Sequence, residues 1–333
     1  MTPPALQAPA VLGHPARAPG PAPSAPLPAT DRGAANRREL ERDLREALDA
    51  GSFHLHWQPI VDCQTGGLNG FEALVRWDRP GTGPAAPAVF VPLAESLGLH
   101  GQLDRWVLRQ ALAEAALWPQ PVRACVNISA LWFGGDDLSR TAESMLAEAG
   151  LDPGRLELEV TERVFIGEQA AAAREIAQLR ALGVGIALDD FGTGYASLGY
   201  LRTMAFTRLK LDRTFTGDLG GCRRTEVITR AVLNMGAGLG MAVCAEGVTQ
   251  QAQLEVLQAY GCDEVQGYLL GRPGLLTPAQ WAAHAHLGRS RLFAAASATP
   301  GPAPAAGLAR LDPPPGRPGR AQPSLAPMAD TTA

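Results

Sequence analysis

"FHLHWQPIVDCQTGGLNGFEALVRW", residues 53–77, contains two strand-like runs joined only by "CQTGGL". A parallel crossover needs about a dozen residues or more, whereas a connection this short suits a hairpin, so the two runs are expected to pair antiparallel. Further runs follow in order: "ACVNIS", "LELEVT", "GIALDD", "RLKL", "AVCAE" and "EVQGYLL". After the second run, each is separated from the next by a segment of helical character such as "QLDRWVLRQALAEAAL" or "TEVITRAVLNMGAGLG". Strand and helix in alternation mean a parallel sheet. The order predicts an α/β fold, an irregular (β/α)8 TIM-like barrel with an antiparallel first strand pair, with an open doubly wound sheet as the alternative.

Upstream, "NRRELERDLREALDAG" spaces Leu40, Leu44 and Leu48 at helical intervals, and the folded unit is expected to cover residues 37–293. Residues 1–36 and 294–333 are dominated by proline and alanine and are expected to be disordered tails. Such segments bury too little apolar surface to offset the entropy of ordering them. Across 333 residues the hydrophobic share is 46% and the charged share 19%, enough for a sizeable core.

The net charge is −4, with lysine and arginine scattered, which argues against a binder of DNA or RNA duplexes or of anionic membranes. The five cysteines form no CxxC pair, so neither a zinc site nor a disulfide framework is indicated. No apolar stretch approaches the roughly 20 residues of a membrane span, and the N-terminus lacks the basic-then-apolar order of a signal peptide. A soluble, cytoplasmic protein is expected.

Side chains alternate between the faces of a strand. In "GIALDD" Ile186 and Leu188 share one face while Gly185, Ala187 and Asp189 share the other, and Leu209 and Leu211 likewise oppose Lys210. With the aliphatic faces against the helices, the polar positions point into the barrel: Glu72, Arg76, Asn127, Glu159, Asp189, Lys210, Glu246 and Gln266. They gather at the C-terminal strand ends, where enzymes of this architecture build their sites.

Asp189 and Asp190 are neighbours, so they can reach a common point only where the pleat breaks into the following loop, a bend that Gly192 and Gly194 would permit. Carboxylates that close force one to stay protonated unless a cation neutralises both. Glu72, Glu159, Asp189, Asp190 and Glu246 against Lys210 leave a formal excess of four negative charges, which two divalent cations would cancel. An all-oxygen donor set without histidine or cysteine selects Mg²⁺ or Mn²⁺ over zinc. Two such ions suit activation of water for in-line attack on a phosphodiester.

The stretches "WQPIVD", "FEALVRW", "VNIS", "LELEVTE", "ALDDFGTGYASL", "RLKLDRTF", "AEGV" and "QGYLLGRP" resemble the EAL-domain family of bacterial cyclic di-GMP phosphodiesterases across residues 37–293. The resemblance implies hydrolysis of cyclic di-GMP to linear pGpG, usually by a homodimer. It implies Glu72, Asn127, Glu159 and Asp189 as ligands of one metal, with Asp189 shared and Asp190 serving a second. Lys210 and Glu246 match the positions that hold and polarise the water nucleophile. Arg76 and Gln266 match contacts to substrate phosphate and base, Gln58 lies in the "QP" motif near the pocket, and Glu162 matches a tether for the loop after Asp190. Four features depart from the family pattern: Thr249 in place of a second glutamate after "AEGV", Arg79 in place of histidine, "GRP" at 271–273, and Gly221–Cys222 where an aspartate is common. None removes an implied ligand.

Structural readings stand beside these. A pair of aspartates after a strand is commonly a turn or helix cap, Lys210 suits an ion pair, and Arg76 suits neutralisation of Glu72. His54, His56, Trp57, Trp77, Trp106, Trp118 and Trp132 read as packing residues, and "GGDDL" at 134–138 as a chance match to a cyclase signature. The functional alternative is a catalytically silent module that binds cyclic di-GMP or a protein partner. A phosphodiesterase for another nucleotide is the third.

Overall fold

The computed structural model describes residues 31–134, 137–165, 169–193, 198–285, 287 and 291–294. Helix α1 (Asp31–Ala50) leads into β1 (Phe53–Asp62), β2 (Leu68–Arg79), β3 (Gly83–Ala85), α2 (Pro87–Ser96) and α3 (His100–Ala116). Strand and helix then alternate: β4 (Arg123–Asn127), α4 (Leu138–Ala149), β5 (Leu156–Thr161), α5 (Gln169–Leu182), β6 (Gly185–Phe191) and α6 (Leu198–Thr203). The chain continues through β7 (Arg208–Leu211), α7 (Arg213–Thr216), α8 (Arg223–Leu239), β8 (Ala242–Ala245), α9 (Gln251–Ala259) and β9 (Glu264–Gln266). It ends in α10 (Pro278–Ala285) and α11 (Arg291–Ala294). The Pro/Ala-rich segments expected as tails lie outside the described residues apart from 31–36, within α1, and Ala294.

Hydrogen bonding runs β1-β9-β8-β7-β6-β5-β4-β2, and a β1–β2 pairing closes the ring. The barrel is therefore the expected irregular one and not an open sheet. β1 is antiparallel to β2, from Phe53↔Trp77 to Val61↔Leu68, and antiparallel to β9 as well. β2 runs parallel to β4, and each later neighbour is parallel to the last. β3 is an addition that the sequence patterning does not suggest, three residues folding back on β2 beyond the ring.

The short β1–β2 connection forms because Asp62 Oδ1 accepts from the backbone N–H of Gln64 (3.0 Å) and Thr65 (2.7 Å), a side-chain turn that reverses the chain. Gly66 then takes φ +68°, and a Cβ there would lie 2.5 Å from the Phe293 ring, so only glycine fits.

Outward strand faces carry Leu158, Val160, Ile186, Leu188, Leu209, Leu211 and Val243, all buried against the helices. Inside the ring the filling is unusual for a barrel, which is normally packed with branched apolar side chains. A thin apolar layer of Ile60, Cys125 and Cys244 separates two polar ones. Below it, Arg208 Nε donates to both Glu157 oxygens (2.9 and 3.0 Å), and Arg208 Nη1 to Glu264 Oε2 (2.6 Å). Arg123 Nη2 and Asn69 Nδ2 complete Glu264 at 2.8 and 2.7 Å. Two arginines balance two glutamates, so this floor is neutral.

The tryptophans pack as expected: Trp57 meets Trp118 edge-on at 4.9 Å and Trp77 meets Phe90 at 5.6 Å. Trp106 packs on Phe53, and Arg105 lies over Trp132. The His54 and His56 rings meet at 5.2 Å, tilted by 57°. Of "GGDDL", Gly135 and Asp136 lie outside the described residues, while Asp137 accepts from Trp132 Nε1 and Arg105 Nη2 just before α4.

Candidate active site

Strand parity delivers the upper layer. Asn127, Glu159, Asp189, Lys210 and Gln266 face inward near the C-terminal ends of their strands, Glu72 does so from within the longer β2, Glu246 directly follows β8, and Gln58 lies across from Glu72 on β1. Lys210, 1% exposed, stands at the centre. Its Nζ lies 2.7 Å from Glu159 Oε2, 2.7 Å from Glu246 Oε1, 3.3 Å from Asp189 Oδ1 and 3.7 Å from Glu72 Oε2. Glu72 is held from both sides, by Asn127 Nδ2 on Oε1 (2.7 Å) and Gln266 Nε2 on Oε2 (2.6 Å), while Gln266 Nε2 also reaches Gln58 Oε1 at 3.2 Å.

The aspartate pair converges by a different device from the one expected. Both residues lie within β6, and the β6–β7 register shifts between Leu188 and Phe191, a bulge. Asp190 itself takes φ +53°, the only non-glycine residue with positive φ among the described residues. The extra residue and the left-handed backbone together turn its carboxylate towards that of Asp189, at a conformational cost that aspartate bears better than most residues. Gly192, at φ +94°, follows the break without making it: its role is to let Phe215 pack, whose Cζ would lie 2.5 Å from a Cβ. Gly194 is outside the described residues.

Glu162 Oε1 accepts from the Gly192 N–H at 2.8 Å, so this buried carboxylate pins the loop after Asp190. Arg76 is half-buried, donates to its neighbour's Val75 carbonyl at 2.9 Å, and lines a cavity of about 480 Å³ together with Asn127 and Asp190. Arg79 faces away, paired with Asp43 of α1 at 2.7 Å. Thr249 does not leave its loop loose: its N–H and that of Gln250 both bond Gln253 Oε1, at 2.8 and 3.0 Å, and Gln253 Nε2 reaches the Gly217 carbonyl at 3.1 Å.

The charge balance is visible in the protonation behaviour. Burial, reinforced by Asp189 and Glu72 and opposed by Lys210, pushes the Glu246 carboxyl up to about 8. Burial also lifts Glu159 well above the usual carboxylate range, and burial with the Asp189 charge raises Asp190. For Lys210 burial opposes the ammonium, but Asp189, Glu159, Glu246 and Glu72 overcome it and hold the pKa well above the ordinary value. A charged lysine among partly protonated acids is an anionic site lacking enough positive charge.

The donor set fits divalent cations. Carboxylate oxygens of Asp189, Asp190 and Glu246 lie within 4.8 Å of one another. Glu159 Oε1 is buried without a hydrogen-bond partner among the described residues, a costly state for a carboxylate oxygen unless a cation meets it. Cys125, Glu157 and Glu159 also bring donor atoms within 4.8 Å, but Glu157 is engaged by Arg208 and burial pushes the Cys125 thiol up, so that trio suits no cation.

The raised carboxyl values set the sign of a pH effect. The folded protein holds protons that the unfolded chain releases near pH 4.5, so metal-free stability declines as pH rises from there towards about 8, and is level above. Asp104, raised to about 7 by burial, adds in the same direction without being part of the cluster. Thermal melts without metal should therefore fall between pH 5.5 and 8.5 by roughly 5 °C, and Mg²⁺ or Mn²⁺ should raise the melting temperature more at pH 8.5 than at 5.5. An equal metal-induced shift at both values would contradict this account.

The ionic floor escaped the sequence reading although its signal was present: Glu157, Arg208 and Glu264 each stand two residues before a member of the cluster, on the same inward face. Arg213 and Tyr268 were also missed, because they follow the strand ends, where parity no longer applies. They line a second cavity beside Glu246.

Comparison with known proteins agrees with this geometry. The family model described as EAL domain matches residues 41–273. A cyclic di-GMP phosphodiesterase of Pseudomonas aeruginosa is 42% identical over 226 residues, covering 67% of this chain and 38% of that protein. The PaMucR phosphodiesterase, solved in complex with c-di-GMP, superposes with a TM-score of 0.67 at 40% identity over 71% of this chain and 97% of that one. The EAL enzyme Bd1971, in its cAMP- and cyclic-di-GMP-bound form, gives 0.70 at 28% identity over 73% of this chain and 68% of that one. The chain spans only 29% to 39% of the length of the curated relatives it matches. With a barrel inverted at its first strand, an acid-ringed lysine at its rim and a matched segment of this length, the chain belongs to the EAL domain family.

Proposed function

We propose that the chain is a phosphodiesterase that hydrolyses cyclic di-GMP to linear pGpG with two divalent cations, Mg²⁺ or Mn²⁺, its functional unit being residues 37–293. The observation that carries this reading is the oxygen set around Lys210, in which Glu72, Glu159, Asp189, Glu246 and the adjacent Asp190 against one ammonium give a formal charge of −4 and Glu159 Oε1 has no hydrogen-bond partner among the described residues. Glu72, Asn127, Glu159 and Asp189 would hold one ion and Asp189 and Asp190 the other. Such ions neutralise the acids, lower the pKa of water and polarise a phosphodiester.

The chain's own groups do the rest. Lys210 Nζ and Glu246, 2.7 Å apart, would orient the attacking water, with Glu246 protonatable near neutral pH. Arg76, Gln58 and Gln266 would contact the substrate, the last also fixing Glu72. Glu162 would hold the backbone after Asp190 in register through Gly192. The names of relatives as cyclic di-GMP phosphodiesterases, and of solved neighbours as cyclic di-GMP complexes, support the substrate.

The test is turnover. Residues 31–294 with cyclic di-GMP and Mg²⁺ or Mn²⁺ should yield pGpG, and Glu72→Ala should lose at least about a hundredfold of the rate. Binding without turnover would favour the silent receptor, and turnover of other cyclic nucleotides alone would redirect the substrate.

A further inference from the structure

Beyond Asn127 the chain leaves β4, and what holds it there decides where the Asn127 side chain points. That side chain is exposed and makes one hydrogen bond among the described residues, from Nδ2 to Glu72 Oε1 at 2.7 Å. Ile128 N–H gives the last bond to β5, on the Glu159 carbonyl at 2.9 Å. Ser129 has left the ladder. Its backbone N–H donates to Asp104 Oδ2 of α3 at 3.0 Å, and its Oγ donates to Glu95 Oε1 of α2 at 2.9 Å. Two carboxylates from two helices thus grip one serine, two residues after the asparagine.

Packing does not explain the grip. Glu95, Asp104 and Ser129 all border the cavity of about 480 Å³ that reaches Asn127 and Asp190, so one side of this segment lacks close neighbours. Asp104 is 8% exposed, and Ser129 N–H is its one hydrogen-bond donor among the described residues. Burial pushes its carboxyl up to about 7 in spite of that bond, the mark of a group that is costly to keep. An apolar side chain would serve stability better there, but could not accept from Ser129.

Glu95 reaches further. Its Oε2 accepts from Arg163 Nη1 at 2.8 Å, and Arg163 follows Glu162, whose carboxylate holds the Gly192 N–H at 2.8 Å. The Arg163 side chain is 59% exposed, so the ion pair adds little energy. It does give the connections after β4 and β5 a shared anchor on α2.

We propose that Asp104 and Glu95 are positioning residues of the ion site: through Ser129 they fix the backbone that aims Asn127, and with it the geometry in which Asn127, Glu72, Glu159 and Asp189 hold a divalent cation. The inference rests on the two-cation reading of the site. Calorimetric titration of Mn²⁺ into the metal-free 333-residue chain reads that site without turnover, with Glu72→Ala marking which part of the heat belongs to it. Asp104→Ala should raise the Mn²⁺ Kd about tenfold, whereas Asp104→Asn, which keeps an acceptor for Ser129, should stay within about twofold of wild type. Ser129→Ala and Glu95→Ala each remove the Oγ bond and should each raise Kd about threefold, and their combination should lose no more than the worse of the two. Ser129→Ala hardly changes volume, and it decides the matter if Asp104→Ala does not fold. A purely structural role would lower the metal-free melting temperature of Asp104→Ala and leave Kd where it was. That result overturns the proposal, as do an asparagine variant no better than the alanine one and additive losses in the serine and glutamate pair. Wild-type binding that Glu72→Ala does not alter removes the two-cation reading and the inference together.

Discussion

Replacing Lys210 by methionine should lower kcat on cyclic di-GMP by at least about a thousandfold and the melting temperature of the metal-free protein by roughly 10 °C. The ammonium is the shared partner of Glu159 and Glu246 at 2.7 Å and of Asp189 at 3.3 Å, and its own side chain is only 1% exposed. Without it, buried acids face each other unscreened, and protonating them relieves only part of the repulsion. Methionine keeps the length and apolar stem of lysine, so cavity formation contributes little. The diagnostic feature is the dependence on metal. Saturating Mg²⁺ or Mn²⁺ should restore much of the lost melting temperature, since added positive charge substitutes for the ammonium, yet should not restore turnover, since an ion cannot replace a positioned donor. Paired melts and assays read this directly, and recovery of both by metal would reduce Lys210 to a counter-charge.

Arg208→Met should lower stability by about 3–5 kcal/mol, roughly 10 °C in melting temperature, with or without metal. Glu264 would keep Arg123 and Asn69, but Glu157 would lose the donor to both of its oxygens, keeping only a Cys125 thiol contact at 3.6 Å. A buried carboxylate stripped of its partner is the costly species, not the absence of the ion pair itself. The double substitution Arg208→Met with Glu157→Met should therefore recover most of the loss, a non-additivity that melting curves of the two single variants and the double variant would expose. Strict additivity would mean that packing volume, not charge, sets the cost.

The two predictions separate layers that share one parity. Glu157 and Glu159, Arg208 and Lys210, and Glu264 and Gln266 each sit two residues apart on one inward face, yet the lower member closes a neutral network and the upper one borders the anionic cluster. Period-two alternation identified the inward face but carried no information on depth, and attention to the strand ends left the floor unread. Thr249 shows the converse. It departs from the family pattern at a position where glutamate is usual, and the fold supplies Gln253 from the first turn of α9 to hold that backbone.

Local chain chemistry was sufficient to determine a mostly parallel α/β sheet with an inverted first strand, because a connection as short as "CQTGGL" suits a hairpin and because alternation of strand and helix implies parallel neighbours thereafter, while the closure of that sheet into a barrel came from β1 pairing with both β2 and β9. It also determined which side chains face inward, since pleat parity is a property of one strand at a time. Only the closed ring decided what those side chains meet: the ladder of strand registers sets Lys210 level with four carboxylates and puts the paired floor below. The convergence of Asp189 and Asp190 likewise came from a bulge against β7, with Asp190 at φ +53°. Register and bulges are fixed by the sum of contacts across neighbouring strands, an energy distributed over residues far apart in the chain, and no short segment encodes it alone.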